Sequence, residues 1–588
     1  MANQEFNVVG NQLGKMVLFI GDTIKAAFRC LLWHKCNNAM KKTLIIAICA
    51  IVALATGNVQ AQRDGEVSAR SVADRSFEIA KNLEIFSAVY KNLNLNYVDE
   101  VDPGKTIKVA IDAMLASLDP YTNYFAESQM EDVKLQLLGQ YGGVGALIMQ
   151  RGDSIFVSEP YKGLPADEAG LKAGDRIVSV NGESTHGKTT SDVSSAMRGQ
   201  AGTEVTLRLE RAGKEFERTL TRREIKLPNV PYYGYVGKDS DYGYIKLDEF
   251  TTDAAKHVRE AFVELKKGKP GMKGIVLDLR GNGGGLMNEA VDIVNIWVPK
   301  GTLVVETKGK VASKNTKSYT RMNPEDTEIP VAVLIDNGSA SASEIVSGSL
   351  QDLDRAVIVG QRSYGKGLVQ NILPMAYNSQ MKVTVSKYYI PSGRCIQAID
   401  YSHRDENGKA VKVPDSLKTA FKTTSGRTVY DGFGIEPDVE VEPEYMSNLG
   451  IALAQKMLVF DYATNYYRTH KEIAPASEFE VSDEMYADFC RYLKEKKLTY
   501  STVTERVIKE LREVSKEEKY DTAIAEQLKA MEAALEKEKE GDLQKHREEV
   551  CEMLKAELLN RYYYDEGRIQ GALKGDKVLL RAIDEMNK

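Results

Sequence analysis

Apolar residues recur at three- and four-residue intervals between Ser71 and Gln140, as in Phe77 to Phe86 and Ile107 to Leu118, the spacing that lays one apolar stripe along a helix. Asp119-Pro120 closes the second run, because proline drives the residue before it out of the helical region. The period changes at Tyr141. Gly142-Gly143-Val144-Gly145 opens a series of short apolar runs, Ala146 to Met149, Ser154 to Val157, Arg176 to Val180 and Val205 to Leu209, with turn residues between them. Short strands punctuated by glycine predict a small β-rich domain of about 85 residues.

Strand-like and helix-like runs alternate from Tyr242: strand Tyr244 to Leu247, helix Ala254 to Lys267, strand Gly274 to Leu279, helix Met287 to Trp297, strand Val331 to Ile335. Such alternation predicts an α/β core in which helices cover the strands and function gathers at the strand ends. Beyond Met446 the chain turns to helix formers and charge, as in Lys516 to Lys519 and Ala533 to Glu540. That composition predicts a solvated helical face, with a partner-docking extension as the alternative, and carries no visible chemistry. The fold class is therefore multidomain α/β, divided into a helical region (70–138), a β-rich domain (139–226), an α/β core (227–446) and a charged helical C-terminal extension (447–588).

Length agrees, since 588 residues exceed what one hydrophobic core organises. Lys and Arg number 78 against 84 Asp and Glu, a formal charge of -6, which argues against nucleic acid as a partner. Met40-Lys41-Lys42, the apolar stretch Leu44 to Ala55 and then Val59-Gln60-Ala61 have the order of a secretory signal peptide over residues 40–61. Cleavage after Ala61 would leave Gln62 first and make residues 1–39 an upstream extension from a misassigned start; a retained membrane anchor is the alternative. The expected location is outside the cytoplasm, in the periplasm or cell envelope. Three of the six cysteines precede that cut, and Cys395, Cys490 and Cys551 lie too far apart for a disulfide framework or a zinc cluster. No metal or cofactor is expected.

The chemistry concentrates in two loops. The strand Val331 to Ile335 leads through Asp336 into Asn337-Gly-Ser-Ala-Ser-Ala-Ser-Glu344 and the helical run Ile345 to Leu350. Strand, small-residue turn and helix would place the Ser341 hydroxyl at a helix N-terminus, where unpaired N–H groups stabilise an oxyanion. On this segment alone Ser339, Ser341 and Ser343 serve equally well as helix caps. Serine needs a base. His186, His257, His403, His470 and His546 lie in no aspartate-paired or glycine-rich setting, whereas a buried lysine can act as base once its pKa falls. Lys366, in Ser363-Tyr-Gly-Lys-Gly367 after the strand Ala356 to Val359, is flanked by glycines that permit close approach, and Gln370 lies four residues on, able to hold its amine.

Two nucleotide patterns fail. Gly360 to Gly367 resembles a phosphate-binding loop, but Gly367 stands where Ser or Thr must ligate magnesium, and a strand-like run follows. Arg280-Gly-Asn-Gly-Gly-Gly285 follows a strand like a dinucleotide fingerprint, yet Leu286 and Asn288 occupy the third glycine position in its two registers.

Five ordered motifs carry a family resemblance: Leu277-Asp-Leu-Arg-Gly-Asn-Gly-Gly-Gly285, Asn337-Gly-Ser-Ala-Ser-Ala-Ser-Glu-Ile345, Ser363-Tyr-Gly-Lys-Gly-Leu-Val-Gln370, Lys387-Tyr-Tyr-Ile-Pro-Ser-Gly-Arg394 and Gly434-Ile-Glu-Pro-Asp438. Over roughly residues 75–445 the chain resembles the carboxyl-terminal processing peptidases, or tail-specific proteases, of serine peptidase family S41. The resemblance implies a core of the ClpP/crotonase-like type with an inserted PDZ domain. It makes Ser341 the nucleophile, Lys366 the base and Gln370 the residue orienting the lysine, and the 25-residue spacing of Ser341 and Lys366 selects Ser341 over its neighbours. It implies an oxyanion hole built from the N–H groups of Ala342 and of a glycine in the 283–285 loop, assigned to Gly284, and an acyl-enzyme path. Gly281 and Gly283 depart from the family's frequent Asn and Pro.

The β-rich segment is similar to the family's PDZ domain, with Gly142, Gly143, Val144 and Gly145 as its carboxylate-binding loop. The implied partners are proteins or peptides held by their C-termini, with homo-oligomers and membrane association through an uncleaved signal also open. Arg198 reads as a solvated surface arginine or as a relay between domain and core. The rival to a peptidase is a non-catalytic PDZ scaffold that holds tails.

Overall fold

A computed structural model describes residues 74–130 and 140–588. The signal peptide expected at 40–61 and the extension at 1–39 lie outside the described residues, as does the stretch 131–139. The chain divides into two compact units, up to Ile111 and from Asp112 onward. In the first, a helix spans residues 74–96, longer than the run Phe77 to Phe86, and the Tyr90 hydroxyl donates to Pro103 O at 2.6 Å.

The second unit is built around a six-stranded sheet in the order Tyr232–Val236, Tyr242–Lys246, Gly274–Asp278, Val331–Ile335, Val357–Gly360 and Val439–Glu440. The first pair is antiparallel and the others are parallel. Strand side chains alternate between faces, and here both faces are apolar, as parallel strands covered on both sides require. Ile275, Leu277, Val331, Val333 and Ile335 join one core with residues of the helices Ala254–Gly268, Met287–Val294 and Ala342–Asp352. Val276, Ala332, Leu334 and Val359 point the other way, onto Leu579, Ala582 and Ile583 of the last helix, Lys577–Met586. The C-terminal segment is thus no uniformly solvated extension. Val503–Glu517 and Asp521–Glu540 bury only Ile508, Ser515 and Leu528, but the final helix supplies the second cover of the core sheet.

The helix predicted from Met287 to Trp297 stops at Val294. Asn295 ends it: its buried side chain donates to Val298 O and Met322 O and accepts from the N–H groups of Arg321 and Met322. A second sheet runs Asn123–Phe125, Gln380–Tyr389, Leu303–Gly309, Thr316–Tyr319, with Leu368–Pro374 also paired to Gln380–Tyr389. The strand predicted after Lys366 is therefore present, and a phosphate-binding loop would need a helix there.

In the β-rich domain the strands run in the order Ala146–Arg151, Ser154–Pro160, Arg176–Val180, Glu204–Arg211, Lys214–Thr221 over a core that includes Val144, Ile155, Val157, Val193, Leu207 and Leu209. Among the described residues Ala146–Arg151 pairs only with Ser154–Pro160, so its outer edge is open. Among the described residues no helix is long and apolar enough to cross a membrane.

Candidate active site

Three neighbouring serines leave the strand Val331–Ile335, and their surroundings separate them. Asp336 Oδ1 organises the turn, accepting from the N–H groups of Gly281, Gly338 and Ser339. Ser339 and Ser343 are fully buried, and each donates to the backbone of the preceding glycine loop, to Leu279 O and Asn282 O, both at 2.8 Å. Ser341 alone of the three lines a cavity of about 470 Å³. Its backbone has φ 55° and ψ −111°, unlike the extended conformation of a capping serine. A non-glycine residue held at positive φ stores about 1–3 kcal/mol of strain, which the surrounding contacts must hold in place.

Glu344 is chief among those contacts. It lies in the first turn of the helix that Ser341 begins and is completely buried. Its Oε2 accepts from Ser341 N at 2.7 Å and Lys366 N at 2.9 Å, and its Oε1 accepts from Ser363 Oγ at 2.6 Å and Gly365 N at 2.7 Å. One carboxylate therefore holds both loops. Burial raises its pKa to about 7 against the pull of these donors. The Tyr388 hydroxyl forms a second tie, donating to Lys366 O at 2.5 Å with Ser341 O at 3.1 Å. The sequence reading gave neither residue a role. Glu344 was legible as the fourth residue of a capping box, Ser341-Ala-Ser-Glu344; Tyr388 had no local signal.

Lys366 lines the same cavity, and its pKa is lowered to about 8, first by burial and then by the like charge of Lys382, with Glu344 and Asp119 opposing. Its Nζ lies 4.4 Å from the centroid of the Tyr121 ring. Gln370 also lines the cavity, its Nε2 donating to Thr384 Oγ1 at 3.2 Å across the paired strands. Among the described residues no hydrogen bond joins Gln370 to Lys366, the lysine it is expected to orient. The flanking glycines admit backbone: a Cβ on Gly367 would stand 2.8 Å from Gln397 N.

The Gly284 N–H donates to Asn282 Oδ1 at 2.9 Å, within its own loop. What the position demands is the absence of a side chain, because φ is 100° and a Cβ would lie 2.7 Å from Ala340 O and 2.8 Å from Ala342 N. The loop rests directly on the Ser341 turn, and Gly283, Gly284 and Gly285 all line the cavity with Ala342.

In the β-rich domain Gly142 and Gly143 pair with Arg223–Lys226, Val144 is buried, and Gly145 has φ 73° with its missing Cβ 2.6 Å from Leu164. Arg198 is half-buried, its guanidinium 5.2 Å from the Tyr141 ring centroid.

Peptidase family S41 matches residues 241–441, a PDZ domain matches 156–211, and the probable PDZ-protease C-terminal helical domain matches 449–586. The carboxy-terminal-processing protease of Bartonella bacilliformis is 36% identical over 323 residues, 54% of this chain and 73% of that one. The chain belongs to peptidase family S41. A probable CtpA-like serine protease of Staphylococcus aureus is 33% identical over 391 residues, 66% of this chain and 73% of that one. Among solved structures, a photosystem II D1 C-terminal processing protease is 28% identical and covers 62% of this chain and 93% of its own, with a TM-score of 0.34. The S41 protein is thus a carboxy-terminal-processing serine peptidase with a PDZ domain and a helical C-terminal domain.

Proposed function

We propose that Ser341 is the nucleophile and Lys366 the general base of an exported endopeptidase that selects protein substrates by their C-terminal tails. The observation that carries this reading is the convergence, in one cavity, of the outward-facing serine of the turn and a lysine whose charged form is disfavoured by burial. Neutral Lys366 takes the proton from Ser341 Oγ as that oxygen attacks the scissile carbonyl. The developing oxyanion is met by Ala342 N–H at the positive end of its helix, with the second donor coming from the Gly283–Gly285 loop. The lysinium then protonates the leaving amine, and water brought in by the same lysine hydrolyses the acyl-enzyme. For this the Lys366 side chain leaves the Tyr121 ring, and Gln370 turns from Thr384 to accept from the amine.

Gly142, Gly143, Val144 and Gly145 form the carboxylate-binding loop, and the tail adds as a strand to the open edge of Ala146–Arg151. Export rests on the signal-like order of residues 40–61. The test uses the full chain and a tailed protein substrate. Ser341→Ala should abolish cleavage while leaving tail binding intact, and a slowly deacylating ester should leave a covalent mass adduct on Ser341 in the parent. Undiminished cleavage by Ser341→Ala, or an adduct on another residue, would refute the assignment.

A further inference from the structure

The tail reading assigns a substrate's last residues to the PDZ edge and leaves open where its preceding residues go. The polarity of the edge answers part of this. The carboxylate loop lies at the Ala146 end, so a bound tail runs antiparallel to Ala146–Arg151 and its N-terminal side leaves past Arg151. A six-residue strand matches about 20 Å of extended peptide.

At that exit Arg151 is bound by two 2.8 Å hydrogen bonds to Asp461, on the helix Leu458–Thr469 of the C-terminal domain. Asn465 and Thr469 follow Asp461 at four-residue intervals, so they continue its face one and two turns further along. Both line a cavity of about 300 Å³, together with Tyr462, Tyr466, His470, Tyr492, Glu495 and the Asp488–Arg491 ion pair, 2.6 Å apart. Asp461 directly precedes Tyr462 and lies one helical turn before Asn465, so the groove begins beside the PDZ exit. The Tyr492 hydroxyl is buried with no hydrogen-bond partner among the described residues. The helix also packs on the PDZ domain elsewhere, since a Cβ on Gly174 would meet the Thr464 side chain at 2.9 Å. PDZ edge and groove are thus two parts of one docked surface.

Tyrosine rings offer wide contact area at low conformational-entropy cost, and phenol and amide groups match peptide N–H and C=O. We propose that this groove is an extended subsite for an uncharged, extended polypeptide segment, the stretch of substrate immediately N-terminal to the tail held on the PDZ edge. The proposal rests on the tail-binding reading. The two sites then act as linked binding modules on one chain, so that a tail with a flexible stretch before it is held more tightly than a bare tail.

The test measures fluorescence anisotropy on the full chain carrying Ser341→Ala, with two peptides sharing the same apolar C-terminal residues. One is about five residues long and occupies the edge alone; the other is about fifteen, with an uncharged, ring-bearing extension that reaches the groove. The longer peptide should bind about tenfold more tightly. Asn465→Arg with Thr469→Arg, both exposed, should remove that advantage and leave the short peptide unchanged. Should the pair also weaken the short peptide, Thr469→Arg alone carries the comparison. Equal affinities for the two peptides, or an advantage that survives these variants, overturn the subsite. If amidating the C-terminus leaves short-peptide binding unchanged, the tail reading fails instead, and the subsite with it.

Discussion

Glu344→Gln is the sharpest perturbation of the site because it changes one atom in a group that ties both reactive loops. Each carboxylate oxygen accepts two hydrogen bonds: Ser341 N and Lys366 N on one, Ser363 Oγ and Gly365 N on the other. An amide nitrogen cannot accept. Placed on the first side, it confronts two backbone donors that cannot turn away. Placed on the second, it confronts Gly365 N, while the Ser363 hydroxyl can rotate to accept. The second orientation is the cheaper, but it leaves the Gly365 N–H without an acceptor, at about 1–3 kcal/mol, and takes from the Ser363 hydroxyl, which already accepts from Ile435 N at 2.6 Å, the oxygen it donates to. That cost is released by loosening the Lys366 loop relative to Ser341, and 1.4 kcal/mol corresponds to a factor of ten. The fall in kcat/KM should therefore be about 10- to 100-fold, mostly in kcat. Urea denaturation should give a loss of stability of the same size, and affinity for a tail peptide should be unchanged. Glu344→Asp keeps the charge but is too short to reach both loops, so it should not restore activity. A folded Glu344→Gln enzyme with parental kcat/KM would falsify the clamp.

If Lys366 is the base, as proposed, it must be neutral to accept a proton, and its pKa is lowered to about 8, so kcat/KM should rise with pH through about 8 and level off above it. Lys382→Met removes the neighbouring like charge and should move this limb upward by less than about one pH unit, since burial is the larger cause; an unmoved limb excludes the coupling. Gly284→Ala places a Cβ against the backbone of Ala340 and Ala342 and should cost more than about 100-fold in kcat/KM, with the fold intact by circular dichroism. Leu579→Ala, far from the catalytic cavity in sequence and 1% exposed, should lower unfolding stability by about 2–5 kcal/mol, whereas a solvated C-terminal helix would tolerate it.

The apolar periods by themselves determined the strands and helices of the α/β core and the β-rich domain, because each element's own residues carry that signal. Motif order and the spacing of Ser341 and Lys366 likewise singled out the pair proposed here as nucleophile and base. Tertiary structure decided what depends on partners distant in the chain. Glu344 reads locally as a helix cap, and only the fold brings Ser363, Gly365 and Lys366 onto its carboxylate. Gly284 reads as an N–H donor, and only the packing of its loop on the Ser341 turn shows that the position also requires a missing side chain. The last helix shows the same limit. Its period announces one apolar face at Leu579, Ala582 and Ile583, but a period specifies that a face must be covered and not what covers it. That answer lies some 240 to 300 residues earlier, in Val276, Ala332 and Leu334.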